Sequence, residues 1–220
     1  MDNNVRLISI TSPSIPEVQT PEELVAYCAR VSNPSNQVNN ETSAKLLSYL
    51  IRNSHWSPLE MVDMTMEIEC ARDIGRQILR HRSFSFQEFS QRYAVAPNFT
   101  WREPRTQDNK NRQNSNDVND LELLDFWQEL QTEVLRNAKK SYQAALDAGI
   151  AKEVARVLLP EGMTMSRMYM KGSLRSWVHY CDLRMGNGTQ KEHRIIAEKC
   201  WEIVAKEFPS IINAMEKKHD

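Results

Sequence analysis

Glycine and cysteine are scarce in this chain, at six and four of 220 residues. Cys28, Cys70, Cys181 and Cys200 lie far apart with no C-x-x-C pair, so the sequence suggests neither a zinc site nor a disulfide framework. The glycines form no G-x-G-x-x-G and no P-loop, which removes nucleotide binding by a standard glycine-rich turn. No His-x-x-x-His supports a metal. Charge of either sign is not in excess: 28 Lys and Arg face 29 Asp and Glu, for a net charge of −1, so any attraction for an anion has to be local. Apolar runs fall short of the roughly 18 residues of a membrane span, and "MDNNVRLISI" has no basic start before a long apolar run. These absences lead us to expect an unprocessed soluble chain without internal repeats, in a reducing cytoplasm. Its length suits one domain with elaborations, residues 1–220.

What is present reads as an α+β chain, with a mixed or antiparallel central sheet packed by helices. "VRLISI" is an opening strand. In "TPEELVAYCARV" Thr20 caps a helix, Pro21 takes its first position and Glu23 completes a capping box. Leu46, Leu47, Leu50 and Ile51 recur at helical spacing in "SAKLLSYLIRN", which "HWSPLE" breaks. "VDMTMEIEC" alternates, placing Val62, Met64, Met66, Ile68 and Cys70 on one buried face of a strand, where methionine packs as core filler. "ARDIGRQILRHR" predicts a helix carrying Arg80, His81 and Arg82 at its C-terminal end, where the dipole favours cations.

Residues 98–120 are polar and predict a long loop. A long helix follows, with Leu124, Trp127, Leu130, Val134, Ala138 and Tyr142 as its apolar side and Gly149 at its end. "AKEVARVLLP" predicts a short helix, "MTMSRMYMK" a strand, and "SLRSWVHYCDLRMG" a helix capped by Ser173 and ended by Gly186. A last helix is expected from Thr189, with Glu192 as its capping-box partner. His193 and His219 read as surface residues, and Trp127, Trp177 and Trp201 as core or interface anchors.

The densest chemistry lies in "RHRSFSFQEFSQRY", Arg80 to Tyr93. Guanidinium groups present forked donors to phosphate and stay charged. A solvated basic helix end would show the same Arg80–Arg82 letters. Ser83, Ser85 and Ser90 add hydroxyls, Gln87 an amide, Phe84, Phe86, Phe89 and Tyr93 ring faces, and Glu88 a carboxylate among the cations, a set that could clasp a nucleotide. A nucleic-acid-binding module could stack bases on the same rings, but near-neutral charge and the lack of a second basic stripe count against it. A purely structural oligomer subunit would leave the spacing of Arg, Ser and Glu unexplained.

The spacing R-H-R, seven residues, Ser is met by Arg80, His81, Arg82 and Ser90, with Glu88, Arg92 and Tyr93 in the extended form. It resembles the signature of the flavin-dependent thymidylate synthases, although Gln87 stands where that family more often has Asn. "HWSPLE", "ARVLLP" and "SLRSWVHYCDLR" resemble further segments of the family, with Ser173 and His179 at positions that are Asn in some members. The resemblance implies methylation of dUMP to dTMP, with methylenetetrahydrofolate as carbon donor, FAD as redox relay and NADPH as reductant, in an obligate homotetramer with shared pockets and no cysteine nucleophile.

It also implies residue roles. Arg80, Arg92 and Arg156 with Ser90 would hold the dUMP phosphate, Gln77 and Glu88 its sugar or base, with Ile78, Leu79, Phe89 and Gln91 beside them. Arg184 would be the catalytic group, stabilising negative charge on the uracil. FAD would be held by His55, Ser57, Arg80, His81, Arg82, Glu88, Ser173, Leu174, Arg175 and His179. Helix geometry adds one expectation: Arg175 and His179, four apart, share a face, while Arg184, nine residues from Arg175, is about half a turn out of phase. Arg184 is therefore expected to serve a different pocket from Arg175 and His179. Ser90 has no adjacent base in sequence, so it reads as a binding group.

Overall fold

The computed structural model describes residues 4–96 and 98–219. In chain order its strands are β1 (Asn4–Ile10), β2 (Asp63–Ala71), β3 (Ser85–Glu88), β4 (Arg105–Gln107), β5 (Ser115–Asp117) and β6 (Met165–Ser173). Its helices are α1 (Pro21–Ala29), α2 (Ser43–Arg52), α3 (Arg72–Ile78), α4 (Leu121–Asp147), α5 (Lys152–Ala155), α6 (Leu174–Met185), α7 (Lys191–Glu207) and α8 (Pro209–His219). The main sheet has the order β1-β2-β6-β3 and is antiparallel throughout. No helix among the described residues is long and apolar enough to cross a membrane.

Alternation in β2 places Met64, Met66, Ile68 and Cys70 in the core, against Met168 and Met170 of β6 and Trp177, Val178 and Cys181 of α6. Each fully buried aliphatic side chain of this kind contributes about 1.5–3 kcal/mol. Trp177 is fully buried, and its indole N–H donates to the Met64 carbonyl at 3.2 Å, which ties α6 to β2. Trp201 packs partly buried against the same core. At Gly172 of β6 the ring of Phe84 lies so close that a Cβ would sit 2.5 Å from it. This close approach lets the segment after α3 seat its first phenylalanine in the core.

The capping box of α1 forms as its sequence dictates, with Thr20 accepting from Glu23 N–H, and Ser173 caps α6 by accepting from Ser176 N–H. Other boundaries differ. α3 stops at Ile78, and Arg80–Phe84 form a tight turn in which His81 N–H donates to Ile78 and Phe84 N–H to His81. The basic triplet therefore lies past the helix, because Phe84 has to turn back to reach the core. α7 begins at Lys191 after Gln190, without a side-chain cap: Glu192 is drawn inward to Arg105, 2.7 Å away, and makes no capping box with Thr189.

His193 is fully buried rather than at the surface, and the His219 side chain lies outside the described residues. The 98–120 segment is not merely a loop. β4 and β5 pair as a hairpin within it, and Lys191 ties it to α7 through Glu103 and Asp117. On α4 the buried stripe runs through Gln131, Leu135 and Tyr142, with Trp127 donating to the Arg102 carbonyl at 2.6 Å. Leu130 and Val134 are exposed, since the stripe is rotated by about one position from the one the apolar residues mark.

Candidate active site

β3 carries the signature segment along the edge of the sheet. Ser85 pairs with Lys171 and Glu88 with Met168, and Phe89 N–H donates onward to Arg167. The Arg80–Phe84 turn thus sits at the Ser173 end of β6, whereas Ser90–Arg92 approach its Met165 end. Three groups of side chains gather along this path.

At the Met165 end, Arg92 and Arg156 meet on one residue. Arg92 Nε pairs with the Glu153 carboxylate at 3.2 Å, and Arg156 Nε donates to the Glu153 carbonyl at 3.2 Å. Beside them a cleft of about 400 Å³ is lined by Arg72, Arg76, Gln91, Arg156 and Thr164. Gln91 is 5% exposed, and its Nε2 has no hydrogen-bond partner among the described residues. Behind the cleft Glu88 accepts from Ser166 at 2.9 Å and pairs with Arg72 at 3.3 Å. The Ser90 hydroxyl accepts from Arg92 N–H at 3.3 Å, and no hydrogen bond ties it to a basic side chain among the described residues. Phe89 is partly buried, and Ile78 lies wholly in the core next to the partly buried Leu79.

A second group forms where α3, the turn, α6 and α7 converge. Arg184 Nε donates to His81 Nε2 at 2.9 Å, so that nitrogen carries a lone pair and Nδ1 the proton. The two terminal nitrogens of Arg184 have no partner among the described residues and form an open fork. Gln77 hydrogen-bonds Gln190 at 2.7 Å and His193 at 3.3 Å, and His193 also meets the Tyr180 hydroxyl at 3.1 Å.

The third group lies at the Ser173 end. Arg175 pairs with Glu60 at 2.8 Å, and the exposed His179 sets its ring edge-on to Trp56. The Ser173 hydroxyl first, and then Arg175 and His179, hold the Glu60 carboxyl below its ordinary value against the opposing effect of burial. His55 is exposed and packs edge-on to Tyr49, and Ser57 opens the short 3-10 turn that holds Glu60. Leu174 is buried, and its N–H is taken by the Val62 carbonyl. Arg80 and Arg82 are exposed, with no side-chain partner among the described residues. Arg184 therefore faces His81 while Arg175 and His179 face Glu60, as the half-turn offset predicts.

The sequence model of a family described as "Thymidylate synthase complementing protein" matches residues 14–210. A protein of Synechocystis named flavin-dependent thymidylate synthase is 50% identical over 216 residues, covering 97% of this chain and 99% of that relative. The chain belongs to the flavin-dependent thymidylate synthase family. A Paramecium bursaria Chlorella virus 1 protein named "Probable flavin-dependent thymidylate synthase" is 49% identical over 214 residues, with 97% and 99% of the two chains covered. Among solved structures, a UMP/dUMP methylase of Streptomyces cacaoi bound with 5-Br dUMP superposes with a TM-score of 0.84 at 25% identity, over 98% of this chain and 95% of that one.

For this thymidylate synthase family member, the signature and its three companion segments lie along the candidate site but leave out several side chains that the fold brings beside them. Arg72 and Arg76 are absent from that reading, although four residues apart on α3 they share a helix face, with Arg80 just past its end. Glu60 closes the "HWSPLE" segment, yet only the fold shows it between Arg175 and Ser173. His193 sits in the apolar stripe of α7 with Ala197, Cys200 and Val204, a spacing that marks a buried position.

Two site histidines bear on stability. Burial first, then Arg184 and Arg80, lowers His81 to about 4. Burial first, then Arg184 and His81, lowers His193 to about 3. Above their unperturbed value of 6.5 both rings are neutral, folded or unfolded, and contribute no pH dependence. Below it the unfolded chain takes up protons that the folded chain refuses, down to about 4 and 3. Stability should therefore fall as the pH drops below 6.5, with the fully buried His193 adding up to about 1.4 kcal/mol per pH unit. Urea unfolding at pH 7 and pH 5 checks this, and equal midpoints would show that the rings are not held neutral.

Proposed function

We propose that this chain methylates the uracil ring of dUMP to give dTMP, with methylenetetrahydrofolate as carbon donor, FAD as redox cofactor and NADPH as reductant. The observation that carries the reading is the Arg184–His81 pair. It leaves a forked, permanently charged donor open, within the segments that match the family. A fixed cation favours the anionic form of a neighbouring group, so Arg184 would stabilise the charge that builds on the uracil when N3 loses its proton. Neutral His81 accepts from Nε and holds the fork in place.

Arg92, Arg156 and Gln91 would receive the phosphate, with Ser90 closing the turn beneath it and Glu88 orienting the sugar. Arg80 and Arg82, exposed and without a side-chain partner among the described residues, with Arg175, His179, Ser57 and His55, offer the cations and donors that an anionic dinucleotide needs. They fit FAD, which when bound would carry the electrons needed to reduce the transferred carbon. A thiol nucleophile is disfavoured: Cys70, Cys181 and Cys200 are fully buried, burial pushes the Cys70 thiol up to about 12, and burial also raises the thiol of the half-buried Cys28. The purified protein should be yellow, release FAD on denaturation and convert dUMP to dTMP. Colourless protein that FAD cannot reconstitute would refute the reading, and turnover of UMP in preference to dUMP would reassign the substrate.

We further infer a homotetramer with shared pockets. Arg175 and Arg184 lie about 13 Å apart along α6 and face different neighbours. Mixed tetramers of Arg175→Ala and Arg184→Ala chains should regain activity that neither parent has, because some pockets would receive both intact arginines. Co-assembled tetramers that stay inactive would rule out sharing.

A further inference from the structure

The buried polar chain behind Gln77 has only one consistent direction. Glu192 is 1% exposed and ion-paired with Arg105. Burial opposes its ionisation, but hydrogen bonds from Arg105, its own backbone and Gln190 outweigh that, and its carboxyl titrates below the ordinary value. An ionised carboxylate only accepts, so the Gln190 group 2.8 Å from it is the NH₂. The Gln190 oxygen must then accept, at 2.7 Å, from the NH₂ of Gln77. That leaves the Gln77 oxygen facing His193 Nδ1 at 3.3 Å, which must carry the proton. His193 Nε2 therefore has a lone pair and accepts from the Tyr180 hydroxyl at 3.1 Å. Amide orientation is ordinarily ambiguous, and here a charge at one end sets it.

We propose that His193 is a positioning residue for the nucleotide: with Gln190 on the other side, it locks the Gln77 carboxamide so that one N–H and one oxygen lone pair remain, in a fixed order, for a complementary edge of the substrate. This rests on the reading that Gln77 touches dUMP. A reversed carboxamide would put donor against donor at the pyrimidine or sugar. The groups come from α3 (Gln77), α6 (Tyr180), α7 (Glu192 and His193) and the residue before α7 (Gln190), so the lock forms only when the fold is complete. Through Glu192 and Arg105 it extends to the β4–β5 hairpin. His193 touches no reacting atom and acts only through Gln77.

The test is made on FAD-loaded holoenzyme with dUMP as titrant. Gln77→Ala and His193→Leu should each weaken dUMP binding by about tenfold, and the double variant should be no weaker than either, because both remove one interaction. In turnover, the KM for dUMP should rise about tenfold in His193→Leu while kcat falls by less. His193→Asn, whose amide nitrogen occupies the place of Nδ1, should recover affinity to within about threefold. Tyr180→Phe gives a second route if His193→Leu fails to fold, and it should weaken dUMP binding while FAD content is unchanged. The proposal is overturned if Gln77→Ala weakens binding but neither His193→Leu nor Tyr180→Phe does, or if the double variant is additive. If Gln77→Ala itself binds dUMP normally, the contact between Gln77 and dUMP fails and the lock fails with it. If the wild type does not bind dUMP, the substrate assignment itself is wrong.

Discussion

Replacing Arg184 by lysine is expected to lower kcat by about 10²–10³-fold, the scale on which removal of one preorganised transition-state donor acts. The charge survives in this variant, so the loss measures geometry. Arginine spends Nε on His81 at 2.9 Å and still has two coplanar nitrogens to present. Lysine has one nitrogen for both tasks and no fork. The aliphatic part of the side chain is nearly conserved and no core residue changes, so folding and flavin content should be retained. Single-turnover conversion of dUMP, measured beside flavin content and dUMP affinity, separates the outcomes. Turnover within about threefold of wild type would remove Arg184 from the catalytic role assigned to it.

The second large effect concerns stability. Arg72 has a side chain 9% exposed and pairs with Glu88, 18% exposed, at the junction of β2 and α3. Arg72→Met should cost about 3–5 kcal/mol, because it leaves a carboxylate in a site from which water is largely excluded. Among the described residues Ser166 then remains as its hydrogen-bond donor. The companion Arg72→Met/Glu88→Leu should recover most of that loss, since replacing both partners of a buried pair by apolar groups is often neutral. Denaturant unfolding of the three proteins decides it. A single variant within about 1 kcal/mol of wild type, or a double variant as unstable as the single, would show that the pair does not hold the β2–α3 corner. Glu88 is also proposed to orient the nucleotide's sugar, and on that reading the single variant should lose dUMP affinity before it loses its fold.

Local periodicity made much of this architecture readable. The alternation of 62–70, the Thr20 capping box and the Ser173 cap each rest on residues a few positions apart, and each appears in the fold, except that Glu67 on the outer face of the strand is buried too, paired with Arg6 and Arg167. What eluded the sequence depends on long-range charge. Glu192 has the spacing of a capping-box residue, yet a partly buried arginine from the β4–β5 hairpin outcompetes the backbone for it. His193 looks polar in isolation, and only the arrival of Tyr180 and Gln77 makes its burial affordable. Likewise Leu130 and Val134 of α4 are apolar but exposed, because Gln131 finds the Arg102 backbone and takes the inner position.

The pairing of β3 with β6 turns the seven residues between Arg82 and Ser90 into a ruler. Within β3, Phe86 and Glu88 are partly buried, whereas Ser85 and Gln87 are exposed. Because strand side chains alternate, one inserted residue would swap the two sets, turning Glu88 away from Arg72 and presenting Gln87 in its place. Changes of identity on the outer set, such as the extra methylene of Gln87, leave this register untouched. A change of length would not, so the segment can vary in its letters far more freely than in its count.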